Sequence, residues 1–346
     1  MEQERHQGTD VRQPVRVRER YGYIDGNGRM CIEPRWHAAR PFRDGLACVG
    51  TRARPDAGTR WGYIDHDGRV VIPPQFTRAG DFAEGRAAVN LGGEYRYIDR
   101  DDSWSLEGGG EGFIDRTGTP VGELRFRSAA GFSEGVGVVR GDTRAWFVDR
   151  HGGRLRWGPF ADAEPFADGL AAATRGGDGG WGWIDASGEF VIAPRYVRVD
   201  RFSEGLAPAL DPATYTYLFV NRSGSVAFRT PGICRFAMPF AHGRAAAMAS
   251  DEGPSPLDPP RRVAHGYLDH AGQWAIAPRF DAAGTFSDGR ACVRIGDRHG
   301  FIDVDGEVVV PVDLEWAGDF ADGIALGMRA GRCHAFRTDG SVLWHE

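Results

Sequence analysis

The five-residue block WGYID at residues 61–65 recurs with drift along almost the whole chain, and this repetition constrains the fold more than any other feature. In such a repeat, each copy is one supersecondary unit that needs its neighbours to bury its apolar face. The copies are YGYID at 21–25, EGFID at 111–115, WGWID at 181–185, HGYLD at 265–269 and HGFID at 299–303, with weaker forms at 145–149 and 218–221.

A second block alternates with the first and contains a phenylalanine, an acidic residue and a glycine. Its first two copies are PFRDGLACV at 41–49 and DFAEGRAAV at 81–89. Its other copies begin at residues 131, 165, 201, 239, 285 and 319. The repeat units therefore start near residues 21, 61, 111, 145, 181, 217, 265 and 299, with a partial unit at 333–346.

Each unit is predicted to form four short strands. Short alternating apolar runs bounded by glycine or proline recur throughout, and none has the periodicity of a helix. Gly68 can adopt the left-handed conformation that a hairpin turn needs, and Asp65 can accept hydrogen bonds from the turn amides. We therefore expect an all-β fold, a tandem repeat of about eight antiparallel β-meander units.

The residues that recur at one phase are predicted to be structural anchors rather than ligand contacts. Buried aromatic side chains supply the large apolar area that joins one unit to the next. In the two most complete units these anchors are Trp61, Gly62, Asp65, Gly68, Phe82, Gly85, Trp181, Gly182, Asp185, Gly188, Phe202 and Gly205.

Two arrangements of the units are open. A propeller-like ring protects the sheet edges that an open array leaves exposed, and this arrangement is narrowly favoured. The chain has nine hairpins of the Ile-Asp type but eight of the Phe-Gly type. This excess suits an open β-solenoid or superhelical array that begins and ends on the same hairpin.

Composition does not change along the repeat, which predicts one repeat domain over residues 21–346. Residues 1–20 are polar and charged, so we expect them to form a flexible N-terminal tail. No window approaches the ~18 apolar residues of a membrane span and no signal-peptide core is present, so a cytoplasmic location is expected.

Composition also excludes several classes of function. The net charge of −6 argues against a general nucleic-acid binder. The chain contains no lysine, which excludes Schiff-base chemistry and a phosphate-loop lysine. The five cysteines form no close pair and have no zinc-ligand spacing. The histidines His66, His151 and His270 occupy the same turn position in different units, so a metal cluster would need a ring with those turns facing inward, and solvated turn histidines are favoured. We therefore predict no catalytic residue, no cofactor and no metal ion.

Three arginines occupy one equivalent position, before the aromatic residue that follows the proline: Arg35, Arg195 and Arg279. The acidic residue of the Phe-x-acid-Gly turn is the expected partner of each. Surface ion pairs of this kind contribute only ~0–1 kcal/mol. The hypothesis is that these pairs set the register between units rather than bind an anion.

The units differ most in length where the last strand of one unit leads to the first strand of the next. The insertions are Gly50–Arg60, Leu91–Gly110, Thr174–Gly180, Asp211–Thr216 and Ala249–Ala264. Equivalent junctions fall on one side of a repeat array, where insertions often form a binding face. Tolerated surface drift is the alternative explanation.

The two blocks resemble the WG-repeat family of bacterial proteins, whose consensus is close to W-G-[YF]-I-D-x-x-G-x-x-V-I-x-P-x-[YF] followed by F-x-[ED]-G-L-A-x-V. Residues 61–89 and 181–209 match it nearly throughout. Tyr21, His265 and His299 replace the tryptophan, and residues 156–159 replace the proline strand. The resemblance implies a binding or scaffold module and no catalytic residue.

The leading prediction is a non-enzymatic scaffold that binds a protein partner through its loop-decorated face. The alternative is a small-ligand or carbohydrate-binding repeat protein with repeated aromatic pockets, and the third is an enzyme with an axial site. Neither a nucleic acid nor a membrane is expected as a partner, and the oligomeric state is open.

Overall fold

The computed structural model describes residues 11–54, 57–90, 92, 94–98, 103–107, 110–250 and 263–346. Its regular elements are β-strands and one short 3-10 turn, Gly177–Gly179. The chain divides into two compact units, Met1–Pro165 and Phe166–Glu346. The described part contains no helix with the length and hydropathy that a membrane span requires.

The first unit contains four meander sheets or parts of sheets. Sheet 1 pairs β1 (Arg12–Val17), β2 (Arg20–Asp25) and β3 (Met30–Trp36). Sheet 2 pairs β4 (Ala38–Arg43), β5 (Leu46–Thr51), β6 (Arg60–Ile64) and β7 (Val70–Phe76). Sheet 3 pairs β8 (Arg78–Ala79), β9 (Ala87–Asn90), β12 (Glu111–Ile114) and β13 (Pro120–Phe126), with the hairpin β10 (Glu94–Ile98) and β11 (Ser103–Glu107) inserted after β9. Sheet 4 pairs β14 (Ser128–Ser133), β15 (Val136–Arg140) and β16 (Ala145–Val148), and β17 (Asp162–Ala163) follows.

The second unit continues the same pattern. Sheet 5 contains β18 (Ala171–Thr174), β19 (Trp181–Ile184) and β20 (Phe190–Tyr196). Sheet 6 contains β21 (Arg198–Val199), β22 (Leu206–Leu210), β23 (Tyr217–Asn221) and β24 (Val226–Arg229). Sheet 7 contains β25 (Ala245–Ser250), β26 (Val263–Leu268) and β27 (Trp274–Phe280). Sheet 8 contains β28 (Ala282–Ala283), β29 (Arg290–Ile295), β30 (Arg298–Asp303) and β31 (Val308–Leu314), and sheet 9 contains β32 (Trp316–Ala317), β33 (Ile324–Arg329), β34 (Arg332–Arg337) and β35 (Val342–His345).

The predicted fold class, an all-β repeat of propeller type, is confirmed, with about nine meander sheets rather than about eight. The count differs because a sheet is out of phase with the sequence unit by two strands. Sheet 2, for example, takes β4 and β5 from one sequence unit and β6 and β7 from the next. The first sheet therefore needs no Phe-acid-Gly hairpin, which accounts for the unequal number of the two hairpin types.

The expectation of a flexible tail over residues 1–20 is wrong for residues 12–17. Residues 12–17 form β1, which pairs antiparallel with β2 along its whole length. Val15 is fully buried, and Gln13 is 3 % exposed. A strand at this position is favourable because β2 would otherwise present an unpaired edge. Residues 1–10 lie outside the described part of the chain.

The glycine of the WG block is required because the fourth strand of the sheet passes directly over it. In sheet 2, Trp61 pairs with Phe76 and Tyr63 pairs with Ile72, so the strand bulges at its proline run. A Cβ added to Gly62 would lie 2.6 Å from the backbone nitrogen of Pro74. The same backbone approach occurs at Gly22, Gly182, Gly266 and Gly300.

Three sheets supply an internal control, because a side chain replaces this glycine in each of them. The replacements are Trp146, Leu218 and His334. After Leu218 and His334, the fourth strands β24 and β35 contain no proline, and their register is regular opposite the replaced position. After Trp146, only isolated bridges form. In the described sheets, the register shift therefore accompanies this glycine and is absent opposite Leu218 and His334.

One aromatic contact recurs between successive sheets. The ring of Tyr63, in the third strand of sheet 2, packs edge-on against Phe82 of sheet 3, with centroids 4.7 Å apart. Trp183 and Phe202 form the equivalent pair in the second unit, at 5.2 Å. Both third-strand rings are fully buried, whereas the predicted anchors Trp61 and Trp181 are only partly buried. The main aromatic anchor is therefore two residues after the tryptophan of the WG block.

The buried tyrosines also hydrogen-bond to the neighbouring strand. The Tyr63 hydroxyl donates to the Gly80 carbonyl at 2.7 Å, and the Tyr267 hydroxyl donates to the Gly284 carbonyl at 2.9 Å. Burial raises the pKa of both phenols, so they remain protonated donors across the physiological range. Each tyrosine thus satisfies its polar atom inside the apolar layer between two sheets.

Replacing Gly62 with alanine should destabilise the first unit by roughly 1–3 kcal/mol, because the new methyl group overlaps backbone atoms that cannot rotate away. Urea unfolding followed by circular dichroism measures this change. Gly58→Ala is the matched control, since a Cβ there meets no atom within 4 Å. Equal stability of Gly62→Ala and Gly58→Ala would contradict the steric explanation.

Candidate functional site

The strands of each sheet are joined at two different ends, which we call the turn edge and the loop edge. The turn edge carries the two tight hairpins, Phe-x-acid-Gly between the first and second strands and Asp-x-x-Gly between the third and fourth. The loop edge carries the connection from the second to the third strand and the connection to the next sheet. The described parts of the five predicted insertions lie on the loop edge. Much of Leu91–Gly110 and Ala249–Ala264 falls outside the described residues.

On the turn edge, the predicted aspartates and glycines form the hairpins themselves. Asp65 Oδ1 accepts hydrogen bonds from the amides of Asp67 and Arg69, at 3.0 and 2.8 Å. Gly68 has φ of 78° and donates its amide to the Asp65 carbonyl. Asp185 and Gly188 repeat this geometry. These side chains are occupied by their own turns.

The acidic residues of the other hairpin connect one sheet to the next. Glu84 and Gly85 form a two-residue turn in which both residues have positive φ, and the Glu84 carboxylate accepts the Gly135 amide of sheet 4 at 2.9 Å. We call such a contact an acid–glycine rung. The other rungs join Asp44 to Gly85, Asp168 to Gly205, Glu204 to Gly243 and Asp288 to Gly323.

Some rungs also include a basic residue from the next Asp-x-x-Gly turn. Arg116 pairs with Asp44, and Arg150 lies 3.6 Å from Glu84. His270 lies 3.2 Å from Glu204 and stacks on Phe240. The turn acids therefore do have basic partners, but these are different residues from the ones predicted.

The predicted register-setting arginines contact carbonyl groups instead of the turn acids. The Arg195 guanidinium donates to the Gly224 carbonyl at 2.9 Å, and Arg279 donates to the Gly306 carbonyl at 2.6 Å. Arg35 makes the same contact with Gly68. Each guanidinium lies over the adjacent aromatic ring, which directs it to the neighbouring turn and away from the acid. The role of these arginines in setting the register stays a prediction, and their partner is a glycine carbonyl rather than a turn acid.

The acid–glycine series is interrupted in the second unit. His242 occupies the acidic position of sheet 7, with the same left-handed conformation, φ 54°. An acid at this position would accept a hydrogen bond from the Gly289 amide. Among the described residues, this amide makes no hydrogen bond. Arg244 supplies a different connection, since its Nε donates to the Val304 carbonyl at 2.9 Å.

On the loop edge of the first unit, the tryptophan position of the repeat controls how neighbouring sheets fill the space between them. In sheet 2, Trp61 lies in a row with Gly50 and Ala38, and its ring covers these small residues. Sheet 3 has Glu111 at this position, and sheet 4 has Ala145. Glu111 lines a crevice of about 250 Å³, and Arg140, the cross-strand neighbour of Ala145, lines a second crevice of about 440 Å³.

Glu111 is a buried charge whose two oxygens both have partners. Oε1 accepts a hydrogen bond from Arg78 at 2.8 Å, and Oε2 accepts the Ala129 amide of sheet 4 at 2.9 Å. Its side chain is 4 % exposed. Because burying an unpaired carboxylate is costly, these contacts explain how the residue is tolerated in a slot built for an aromatic ring. Glu111 therefore joins two sheets, and both of its carboxylate oxygens are occupied by structural contacts.

The larger crevice is lined by Arg127, Ser128, Arg140, Gly141, Asp142, Thr143, Arg144, Ala161 and Asp162. Arg140 is held by Asp162 Oδ1 at 2.6 Å and by Glu164 Oε1 at 2.9 Å. Burial lowers the pKa of Arg140, but the hydrogen bonds and charges of Asp162 and Glu164 outweigh burial and raise it overall. Arg127 and Arg144 are exposed and form no ion pair within the described residues.

On the loop edge of the second unit, several large apolar side chains face solvent. Tyr215 lies in the connection of sheet 6, Ile295 is the last residue of β29 in sheet 8, and Trp316 is the first residue of β32 in sheet 9. Ile295 and Trp316 are both 50 % exposed. Val197, Phe236 and Val263 are also exposed on this edge.

His66 and Cys48 are held by packing contacts. His66 stacks on Phe42 with ring centroids 4.2 Å apart. Cys48 is buried, and burial raises the pKa of its thiol to about 12. The described residues contain no group of three side chains suited to holding a metal ion.

The repeat also matches a known family model, that of the WG-containing repeat. The matched segments cover more than half of the chain: residues 21–51, 61–95, 112–140, 181–210, 266–298 and 300–326. The chain belongs to this family. The three copies of the block without a match are those in which Trp146, Leu218 or His334 replaces the glycine, so the family model matches the units that keep this glycine.

Comparison with solved structures supports the fold alone. A crystal structure of the eukaryotic initiation factor is similar with a TM-score of 0.64 and 10 % identity, over 97 % of this chain and 95 % of that chain. Hsv2p of Kluyveromyces lactis has a TM-score of 0.43 and 9 % identity, over 89 % and 96 % of the two chains. No curated protein matches the chain.

Replacing His242 with glutamate should complete the interrupted series, because the carboxylate can accept the Gly289 amide. We expect the second unit to be stabilised by about 1 kcal/mol, the usual contribution of one added hydrogen bond. Thermal unfolding of the full chain measures the change. His242→Ala removes the imidazole without adding an acceptor, so a glutamate variant no more stable than the alanine variant would contradict the rung explanation.

Proposed function

We propose that this WG-repeat chain is a non-enzymatic scaffold that binds a protein partner through its loop edge. The family and the fold support a repeat scaffold. The observation that carries the choice of partner is the set of exposed apolar side chains on the loop edge of the second unit. Apolar surface that is concentrated on one side of a protein is typical of interaction sites, and these side chains share one edge of their sheets.

The chemistry of these residues suits a protein surface. Tyr215, Phe236 and Trp316 are aromatic, and aromatic side chains are enriched where protein interfaces bind most strongly. Together with Ile295 of sheet 8, they lie on the loop edge from sheet 6 to sheet 9, so a partner that follows this edge can contact several of them. The matching position of the insertions on this edge adds to the same conclusion.

The first unit differs at its loop edge. Within its described residues, the only large hydrophobic side chains exposed to this degree are Val70 and Val71. Both lie on β7, the last strand of sheet 2, rather than in a loop. The proposed interface is therefore assigned to the second unit and is not a general property of the repeat.

The alternative of repeated aromatic pockets has less support. Such pockets need the same side chain at equivalent positions, whereas the tryptophan position varies along the chain: Tyr21, Trp61, Glu111, Ala145, Trp181, Tyr217, His265, His299 and Cys333. Trp61 is also covered by the Arg40 guanidinium, 5.1 Å from its ring. A partner with one extended surface fits this variation better than several identical small ligands do.

The test is affinity purification from a lysate of the source organism with the full chain as bait, read by quantitative mass spectrometry. We expect a reproducible protein partner whose enrichment falls at least about tenfold in the variant Ile295→Asp/Trp316→Asp, because charges placed in an apolar contact are costly. Purified partner and bait should then show the same loss in a direct binding measurement.

Val191→Asp/Val308→Asp is the matched control, because these valines are 46 % and 55 % exposed but lie on the outermost strands β20 and β31. This control should retain the partner. A partner lost equally from both double variants, or from neither, would contradict the proposed interface, as would a bait that captures no protein while remaining folded.

A further inference from the structure

We propose that the crevice between sheet 4 and β17 in the first unit binds a small oxyanion, a phosphate or a carboxylate group. The crevice has a volume of about 440 Å³ and lies on the loop edge, where Ala145 replaces the tryptophan of the repeat. This inference concerns a different unit from the proposed protein interface and does not depend on it.

The lining of the crevice offers more hydrogen-bond donors than acceptors. Arg127 and Arg144 contribute two guanidinium groups that have no ion-pair partner among the described residues. Ser128 and Thr143 add two hydroxyl groups. A planar guanidinium presents a fork of N–H donors that matches the oxygens of a carboxylate or phosphate. A ligand rich in acceptors therefore complements this surface.

The third arginine is already neutralised and serves as part of the wall. Arg140 donates to Asp162, to Glu164 and, at 2.6 Å, to the Ala163 carbonyl, so β17 is fixed to the end of β15. The Asp162 carboxylate is therefore already paired with Arg140. Asp142 is the remaining acid of the lining. Because Arg140 is paired with two carboxylates, the charges of the three arginines and three acids cancel. The guanidinium forks of Arg127 and Arg144, rather than a net charge, therefore favour an oxyanion.

The replacement of two consecutive repeat residues explains why the space exists here. Ala145 is fully buried and too small to cover Arg140 and Ser128, its neighbours in the same cross-strand row. Trp146 stands at the glycine position, and its indole lies against Gly141 and under the Arg154 guanidinium, 4.5 Å from the ring. The aromatic ring is therefore at residue 146 instead of residue 145, and it does not fill the crevice.

The size of the crevice sets the class of ligand. Small-molecule sites usually have volumes of about 300–1,000 Å³, so about 440 Å³ accommodates a phosphate ester or a short dicarboxylate. The exposure of Arg127 and Arg144 keeps the entrance in contact with solvent, so the bound anion can exchange.

Isothermal titration calorimetry on the full chain at low ionic strength tests this proposal, with inorganic phosphate and succinate as separate probes. We expect at least one of the two to bind with a Kd below about 10 mM, and the stronger probe identifies the oxyanion. Butane-1,4-diol has the length of succinate without its charge and should not bind. Arg127→Gln/Arg144→Gln should weaken binding at least about tenfold, because charge-assisted hydrogen bonds are lost.

Arg125→Gln is the matched control, since Arg125 is an exposed arginine of β13 that pairs with Glu123 outside the crevice. It should bind the probes as the native chain does. Arg127→Lys/Arg144→Lys keeps the charge but removes the guanidinium forks, so it should bind more weakly than the native chain even if the glutamine variant fails to fold. Absence of binding by both probes, equal binding of the diol, or unchanged binding by either double variant would overturn the proposal.

Discussion

The structure depends on the apolar contact between one sheet and the next. A single meander of four short strands cannot bury its own aromatic face, so each sheet is stable only against a neighbour. In sheets 2 and 3 this contact is the edge-on pair of Tyr63 and Phe82, and the same pair recurs as Trp183 with Phe202 and Phe301 with Phe320. The acid–glycine rungs and the arginine–carbonyl contacts add hydrogen bonds between sheets that the aromatic rings hold together.

The turn edge and the loop edge differ in how strongly their residues are constrained by contacts between sheets. The turn edge is occupied by hydrogen bonds that repeat from sheet to sheet, such as that of Glu84 with the Gly135 amide. Substitution there disturbs a contact between two sheets. The loop edge carries few such contacts, so its residues can change without loss of the fold. The two candidate sites, the arginine crevice and the exposed apolar residues, both lie on this less constrained edge.

Much of the fold could be predicted from the sequence, because repetition reports the same structural requirement many times. The hairpin aspartates, the left-handed glycines and the strand-ending prolines each act within a few residues, so Asp65 and Gly68 were placed correctly by local chemistry alone. The number of sheets and the role of residues 12–17 were not, because the pairing of β1 with β2 depends on where a sheet begins rather than on the repeat unit.

The candidate sites were harder to predict, for two physical reasons. The crevices lie where Glu111 and Ala145 stand in place of an aromatic ring. The sequence shows these replacements as EGFID and AWFVD, but they indicate a crevice only when the position of the tryptophan ring between the sheets is known. The partners of Arg195 and Arg279 depend on the direction that stacking on the adjacent ring imposes. Exposure of Ile295 and Trp316 likewise depends on which edge of the sheet they occupy.

A double-mutant cycle between Tyr63 and Phe82 tests the contact between sheets most directly. Each residue is replaced by leucine, singly and together, and the free energy of unfolding is measured for all four chains. The account predicts a coupling energy of about 0.5–1.5 kcal/mol for this pair and none for Tyr63 with Phe132, which lies in sheet 4 and pairs with Phe113 instead. Additive effects of Tyr63→Leu and Phe82→Leu would contradict it.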